Sequence, residues 1–150
     1  ILRNVTLSHL SGNLRDRNAH ERTMKAMLGV NITSTSAMFI IVLVFLNVIC
    51  SMYGETFNGL RLVIITQAFC AIVVSTSNVY AQEFMSRGAN WSVFFCRLIR
   101  DIAALLISYF VILLVQGYGA LILSLSLLVM NIAYLVALYV INKLHFREIK

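Results

Sequence analysis

Long uncharged runs alternate with short charged stretches along this chain. Residues 26–54 carry no charge, and their centre, MFIIVLVFLNVICSM over 38–52, is apolar almost throughout. A helix rises 1.5 Å per residue, so about 20 apolar residues cross a hydrocarbon layer of ~30 Å. The first run therefore predicts a spanning helix over 33–53. Residues 62–82, bounded by Arg61 and Glu83, predict a second over 60–80. The third run, 102–142, holds 41 uncharged residues, roughly twice what one helix needs, and must fold back on itself. Gln116-Gly117-Tyr118-Gly119 supplies the reversal, because glycine accepts positive φ without a side-chain penalty. Helices are expected over 95–115 and 120–141. The fold class is all-α integral membrane, with four transmembrane helices behind a basic N-terminal surface helix.

The remaining segments are an arm, a central divider and a tail. Residues 1–32 form a basic cytosolic arm with Arg3, Arg15, Arg17, Arg22 and Lys25. Leu7, Leu10 and Leu14 recur at helical spacing, as do Met24, Met27 and Leu28. Arg17–Glu21 and Glu21–Lys25 are i,i+4 pairs that support a helix along the membrane surface; a solvated arm preceding the span is the alternative. Gly29 offers a break, and Asn31, Thr33, Ser34 and Thr35 offer N-caps for the first span. Residues 33–142 form the four-span domain and 143–150 the cytosolic tail. Residues 81–101, AQEFMSRGANWSVFFCRLIRD, are the charge-rich divider between the two apolar halves.

Composition settles the broad class. Hydrophobic residues make up 60% of the chain, charged residues 12%, and the mean hydropathy is +0.87, values that suit a multi-pass membrane protein rather than a soluble domain. The net charge of +6 is spread between the apolar runs, so it reads as a topology signal and a contact with anionic membrane lipids, not with nucleic acid. The arm holds five cations; the divider holds Arg87, Arg97 and Arg100, and the tail holds Lys143, Arg147 and Lys150. The two opposite turns hold only Arg61. Both termini and the divider are expected on the cytoplasmic side, which leaves the glycosylation triplets at Asn4, Asn31 and Asn90 on the side where they are not used. No signal peptide is expected, and the chain reads as a processed product or a piece of a longer one. Which membrane holds it is not written in the residues.

Candidate chemistry is sparse. Cys50, Cys70 and Cys96 lack metal or disulfide spacing and read as packing residues. His9, His20 and His145 lie outside the spans, and no phosphate loop, HExxH or GxSxG motif occurs. No catalytic residue, metal site or cofactor is expected in this chain, and it is not an enzyme by itself. Within the spans Asn47, Gln67, Asn78 and Asn131 must face other helices or a cavity. Gln67, Ala71, Val74 and Asn78 share one helix face, as do Ser124 and Asn131; they either line a solute path or hydrogen-bond between helices. No charge is expected at mid-membrane depth. Arg97 and Asp101, i,i+4 at the head of the third span, are expected to pair, while Arg100 snorkels and Trp91, Phe94 and Phe95 mark the interface.

Glu83, Arg87-Gly88, Phe94-Phe95, Arg97 and Asp101 together resemble the Glu…Gly…Tyr-Phe…(Lys/Arg)…Asp pattern of type-2 ABC permeases, most closely the G-subfamily ABC transporters. The likeness covers most of residues 14–141 and corresponds to the family's first four spans. It implies that residues 24–30 belong to a connecting helix. It implies that Glu83, Arg87, Gly88, Asn90 and Trp91 form a coupling loop resting on a nucleotide-binding domain, and that Gln67, Phe69 and Asn78 face a central cavity. The second span is shorter than the family's, a second acidic residue before the turn is missing, and the later spans are not present, so the chain is expected to be a fragment or a divergent subunit. The function implied is the membrane part of an ATP-driven transporter of a lipid-like or amphipathic solute. The alternative is a non-enzymatic accessory or scaffold subunit, in contact with other membrane subunits.

Overall fold

The computed structural model describes the backbone of residues 17–53, 59–115 and 117–148, and the side chains of 22–53, 59–115 and 117–143. The leucines Leu7, Leu10 and Leu14, both arm ion pairs, the three histidines and the cations of the tail beyond Lys143 lie outside the described side chains. Four α-helices make up the described structure: α1 (Arg17–Tyr53), α2 (Leu60–Ser86), α3 (Asn90–Leu114) and α4 (Gly119–Glu148). No strand occurs among the described residues. Three helices are long and apolar enough to cross a membrane: α1 over Arg22–Tyr53, α2, and α4 over Gly119–Lys143. α3 has 25 residues, about 37 Å of helix, but Arg97, Arg100 and Asp101 lie in its first half.

The helices are longer than the hydropathy pattern predicts. α1 does not break at Gly29, which sits inside the helix with open space around it. One glycine costs a helix interior only about 1 kcal/mol, too little to stop 37 residues from propagating. The expected cap residues are spent within the helix. Thr35 Oγ1 donates to the Asn31 carbonyl at 2.7 Å, and Asn31 Nδ2 donates across to the Ser75 carbonyl of α2 at 2.8 Å. Residues 24–30 are thus continuous with the first span, not a separate surface helix. α2 runs to Ser86 rather than 80, since Ala81 and Glu83 are buried and belong to its packed face. α3 starts at Asn90 rather than 95, and α4 continues past 141 to Glu148. The fold-back is placed as expected: Gly117 takes φ 103 between α3 and α4, although Gly119 already opens the helix.

Side-chain contacts give the directions. Asn31 meets Ser75 and Phe39 meets Phe69, so α1 and α2 are antiparallel. Cys70 meets Asn131 and Glu83 meets Asn142, so α2 and α4 run parallel. The packed order is α1, α2, α4, α3: α4 lies between α2 and α3, α2 touches α3 only sparingly, and among the described helices α1 touches α2 alone. The core at the end of the bundle near the α2–α3 turn is Ala81, Val93, Tyr134 and Leu138, with Tyr80, Phe84 and Met85 around it. Ala104, Ser108 and Ser124 are buried farther along, small residues of the kind that let helix backbones approach closely. Elsewhere the outer faces are apolar and exposed, from Val30 to Tyr53 on α1 and from Trp91 to Val115 on α3. That is the inverse of a soluble helical bundle.

Candidate functional site: a polar ladder inside an apolar bundle

α4 carries a stripe of Asn131, Tyr134, Leu138 and Asn142, spaced three, four and four residues apart, and such spacing keeps side chains on one helix face. Asn131 and Asn142 are the polar rungs. At the upper rung, Asn131 Nδ2 donates to the Leu127 carbonyl at 2.7 Å and to Cys70 Sγ of α2 at 3.5 Å. Its Oδ1 accepts from Arg100 Nη1 of α3 at 3.0 Å, and the Arg100 guanidinium lies 5.0 Å from the centre of the Tyr134 ring. One amide therefore joins three helices.

Arg100 also holds Asp101. Its Nε and Nη2 converge on Asp101 Oδ1 at 2.9 and 2.8 Å. The expected Arg97–Asp101 pair is not formed. Adjacent residues do not face each other on a helix, yet the long Arg100 side chain curls back to its neighbour and takes the carboxylate first. Arg97 turns toward α2 instead, where its Nη2 donates to Asn78 Oδ1 at 2.8 Å. Asn131 is 12 residues into α4, about 18 Å from its start, so Arg100 brings a cation half-way along the apolar part of that helix. A cation comes to lie beside the middle of an apolar helix because a guanidinium reaches sideways as far as it snorkels lengthwise.

The lower rung closes the α2–α3 turn. Glu83 is 1% exposed, in the last turn of α2. Its Oε1 accepts from Arg87 Nη2 at 2.6 Å and its Oε2 from Asn142 Nδ2 of α4 at 2.7 Å. Both oxygens of a carboxylate taken from water are thereby engaged, as burial of a charge demands. The turn itself is only Arg87, Gly88 and Ala89: the amides of Arg87 and Ala89 donate to the Phe84 carbonyl and that of Gly88 to the Met85 carbonyl. Gly88 has φ 84 and open space where a Cβ would be, so its conformation, not crowding, selects glycine. Gly88→Val is accordingly expected to cost about 1–2 kcal/mol in a detergent-unfolding titration followed by circular dichroism, and Gly88→Asn clearly less.

The residues singled out in the sequence separate into three groups. Asn78, Arg97, Asp101 and Asn131 enter the upper rung; Glu83 and Arg87 enter the lower. Asn90 and Trp91 are the exposed start of α3, where Trp91, Phe94 and Phe95 pack ring against ring at 5.6–6.1 Å and face outward. The expected coupling loop over residues 83–91 is thus a helix end, a three-residue turn and a helix start. Gln67 is exposed, and Phe69 packs edge-on against Phe39 at 6.4 Å, so neither joins the polar ladder. Sequence reasoning reads Cys70 only as a packing residue and Arg100 only as a snorkelling one, and does not single out Asn142. The signal that finds Asn142 is its 11-residue step from Asn131, three helical turns on the same face; nothing local marks Cys70. No group of three metal-ligating side chains occurs among the described residues. No protein-family profile matches the chain, and neither does any curated protein or solved structure.

Proposed function

We propose that this chain is the membrane-spanning part of an ATP-driven transporter for a lipid-like or amphipathic solute, with α3 as a fourth span and both termini cytoplasmic. What supports the reading above all is the clamp at Glu83. A force applied to the exposed face of the α2–α3 turn passes through Arg87 and Glu83 to Asn142, and so moves α2 and α4 together. Rigid-body motion of packed helices is the way a remote ATPase drives a membrane domain. The nucleotide-binding domain is then a partner or another segment of the same polypeptide.

The decisive experiment is purification from native membranes in a mild detergent. A P-loop ATPase should accompany the chain, or be part of it, and Glu83→Ala should leave ATP hydrolysis in place while lowering transport. Absence of any ATPase from that material would end the proposal. The orientation has its own test: reporters fused at Glu55, Ser86 and the C-terminus should show only Glu55 outside, and an external Ser86 would reverse the topology.

A second reading, an accessory or scaffold subunit, draws on the wide uncovered apolar face of α1, which among the described helices touches only α2. It requires that loosening the ladder weaken assembly with a larger complex while the transported solutes stay the same.

A further inference from the structure

The polar ladder contains one cation more than its carboxylates neutralise. Glu83 is matched by Arg87 and Asp101 by Arg100, whereas no carboxylate pairs with Arg97 among the described residues. Arg97 is half-buried, and its single hydrogen bond is to the neutral Asn78. A guanidinium has five donors, so four of its N–H groups remain, beside the amide N–H groups of Asn78. Nearby Asp101 does not cancel this charge, because two donors of Arg100 already converge on its accepting oxygen.

Position decides what such a cation meets. Arg97 lies 17 residues before Leu114, about 25 Å along α3, so with the far end of α3 at one boundary of a ~30 Å layer it sits just inside the other. Amphiphile head groups lie at that depth. α2 and α3 touch little, and near Arg97 the apolar side chains Leu98 and Leu105 of α3 are exposed. These give a tail apolar surface on α3 beside the cation. Water alone would solvate an arginine at the surface; a half-buried one between two helices gains more from an anion that brings its own apolar body.

We infer that Arg97 and Asn78 form the head-group site for an anionic amphiphile, a single negative phosphate or carboxylate head on a hydrocarbon tail, held between α2 and α3. The inference rests on the membrane-domain reading above and names the charge class of its solute. Charge-assisted hydrogen bonds to guanidinium supply the selectivity over a neutral head, on the order of tenfold.

Trp91, the single tryptophan, lies six residues from Arg97, about 9 Å along α3, and reports on the site. The full chain in phosphatidylcholine vesicles is titrated at pH 9 with 5-doxylstearate, and separately with its uncharged methyl ester, while Trp91 fluorescence is followed. Half-quenching by the anion is expected at about tenfold lower mole fraction than by the ester. Arg97→Gln should bring the two probes to parity with helix content unchanged, Arg97→Lys should keep the preference, and Lys143→Gln should leave it as in the wild type. Dodecyl phosphate should relieve the quenching where equal inorganic phosphate does not. An undiminished preference in Arg97→Gln would overturn the site, as would a preference equally reduced by Lys143→Gln. Relief by inorganic phosphate alone would overturn the amphiphile in favour of a small anion. The assay uses no ATPase, so a chain that binds the probe but purifies without an ATPase refutes the transporter and leaves this site standing; the converse refutes only the site.

Discussion

Glu83→Ala is expected to lower the stability of the bundle by about 2–3 kcal/mol, measured by unfolding in mixed detergent micelles with far-ultraviolet circular dichroism. Removing one partner from a buried ion pair costs about 3–5 kcal/mol, because the other charge stays behind unpaired. A smaller figure than that range applies here because Arg87 is 19% exposed, recovers some water and keeps contacts besides Glu83. Asn142, also half-buried, loses its partner as well. It lies on α4, its Nδ2 donates only to Glu83 Oε2 among the described residues, and truncation orphans it in the packed end of the bundle. Glu83→Gln separates the two losses: an amide oxygen still accepts from Asn142 but no longer balances Arg87, so a smaller effect is expected. If Glu83→Ala unfolded like the wild type, α2 and α4 would not be joined through this side chain, and the route for force from the turn to α4 would go with it.

The second large effect belongs to Asn131→Leu, for which a loss of about 1–2 kcal/mol is expected in the same titration. An interhelical hydrogen bond between membrane helices contributes about 0.6 kcal/mol on average and seldom more than 1.7, but Asn131 bridges to two helices. Leucine in its place also leaves Arg100 with Asp101 and the Tyr134 ring alone. Gln67→Leu is the internal comparison. Gln67 is exposed on α2 and makes no bond within the described structure, so its replacement should fall within about 0.5 kcal/mol of the wild type. Equal effects from the two substitutions would mean that Asn131 is not the junction of α2, α3 and α4.

These two residues also show how far the site was legible. Gln67, Asn78 and Asn131 look alike in the sequence: each is a polar side chain in an apolar run, and burial of such groups requires a partner or a cavity. The requirement is general, but it does not say which of them is buried. One residue turns a helix by about 100°, so a modest rotation about the helix axis decides whether an amide faces a neighbour or the outside. Asn131 came to face Arg100 and Gln67 came to face outward. Arg97 and Asp101 illustrate a different failure. Their i,i+4 spacing is right for a pair, yet the pair loses to a competitor adjacent in sequence whose side chain is long enough to curl back, while Arg97 finds Asn78 on another helix. Spacing rules compare partners within one helix, and here part of the competition lay outside it.

The helices themselves were more transparent. The absence of charge over 26–54, 62–82 and 102–142, and the Gly117 reversal, are local properties, and the sequence by itself determined from them the helical class, three apolar segments of spanning length and the point where the last run folds back. Helix ends were less so, because hydropathy marks where apolar surface stops, whereas hydrogen bonding lets a helix continue through Gly29 and on to Ser86. Only the tertiary structure decided the packed order with α4 between α2 and α3, the burial of Glu83 and, among the described residues, that Arg97 pairs with an amide rather than a carboxylate. Those depend on which faces meet and on which side chain reaches a carboxylate first, and both are settled between helices rather than along them.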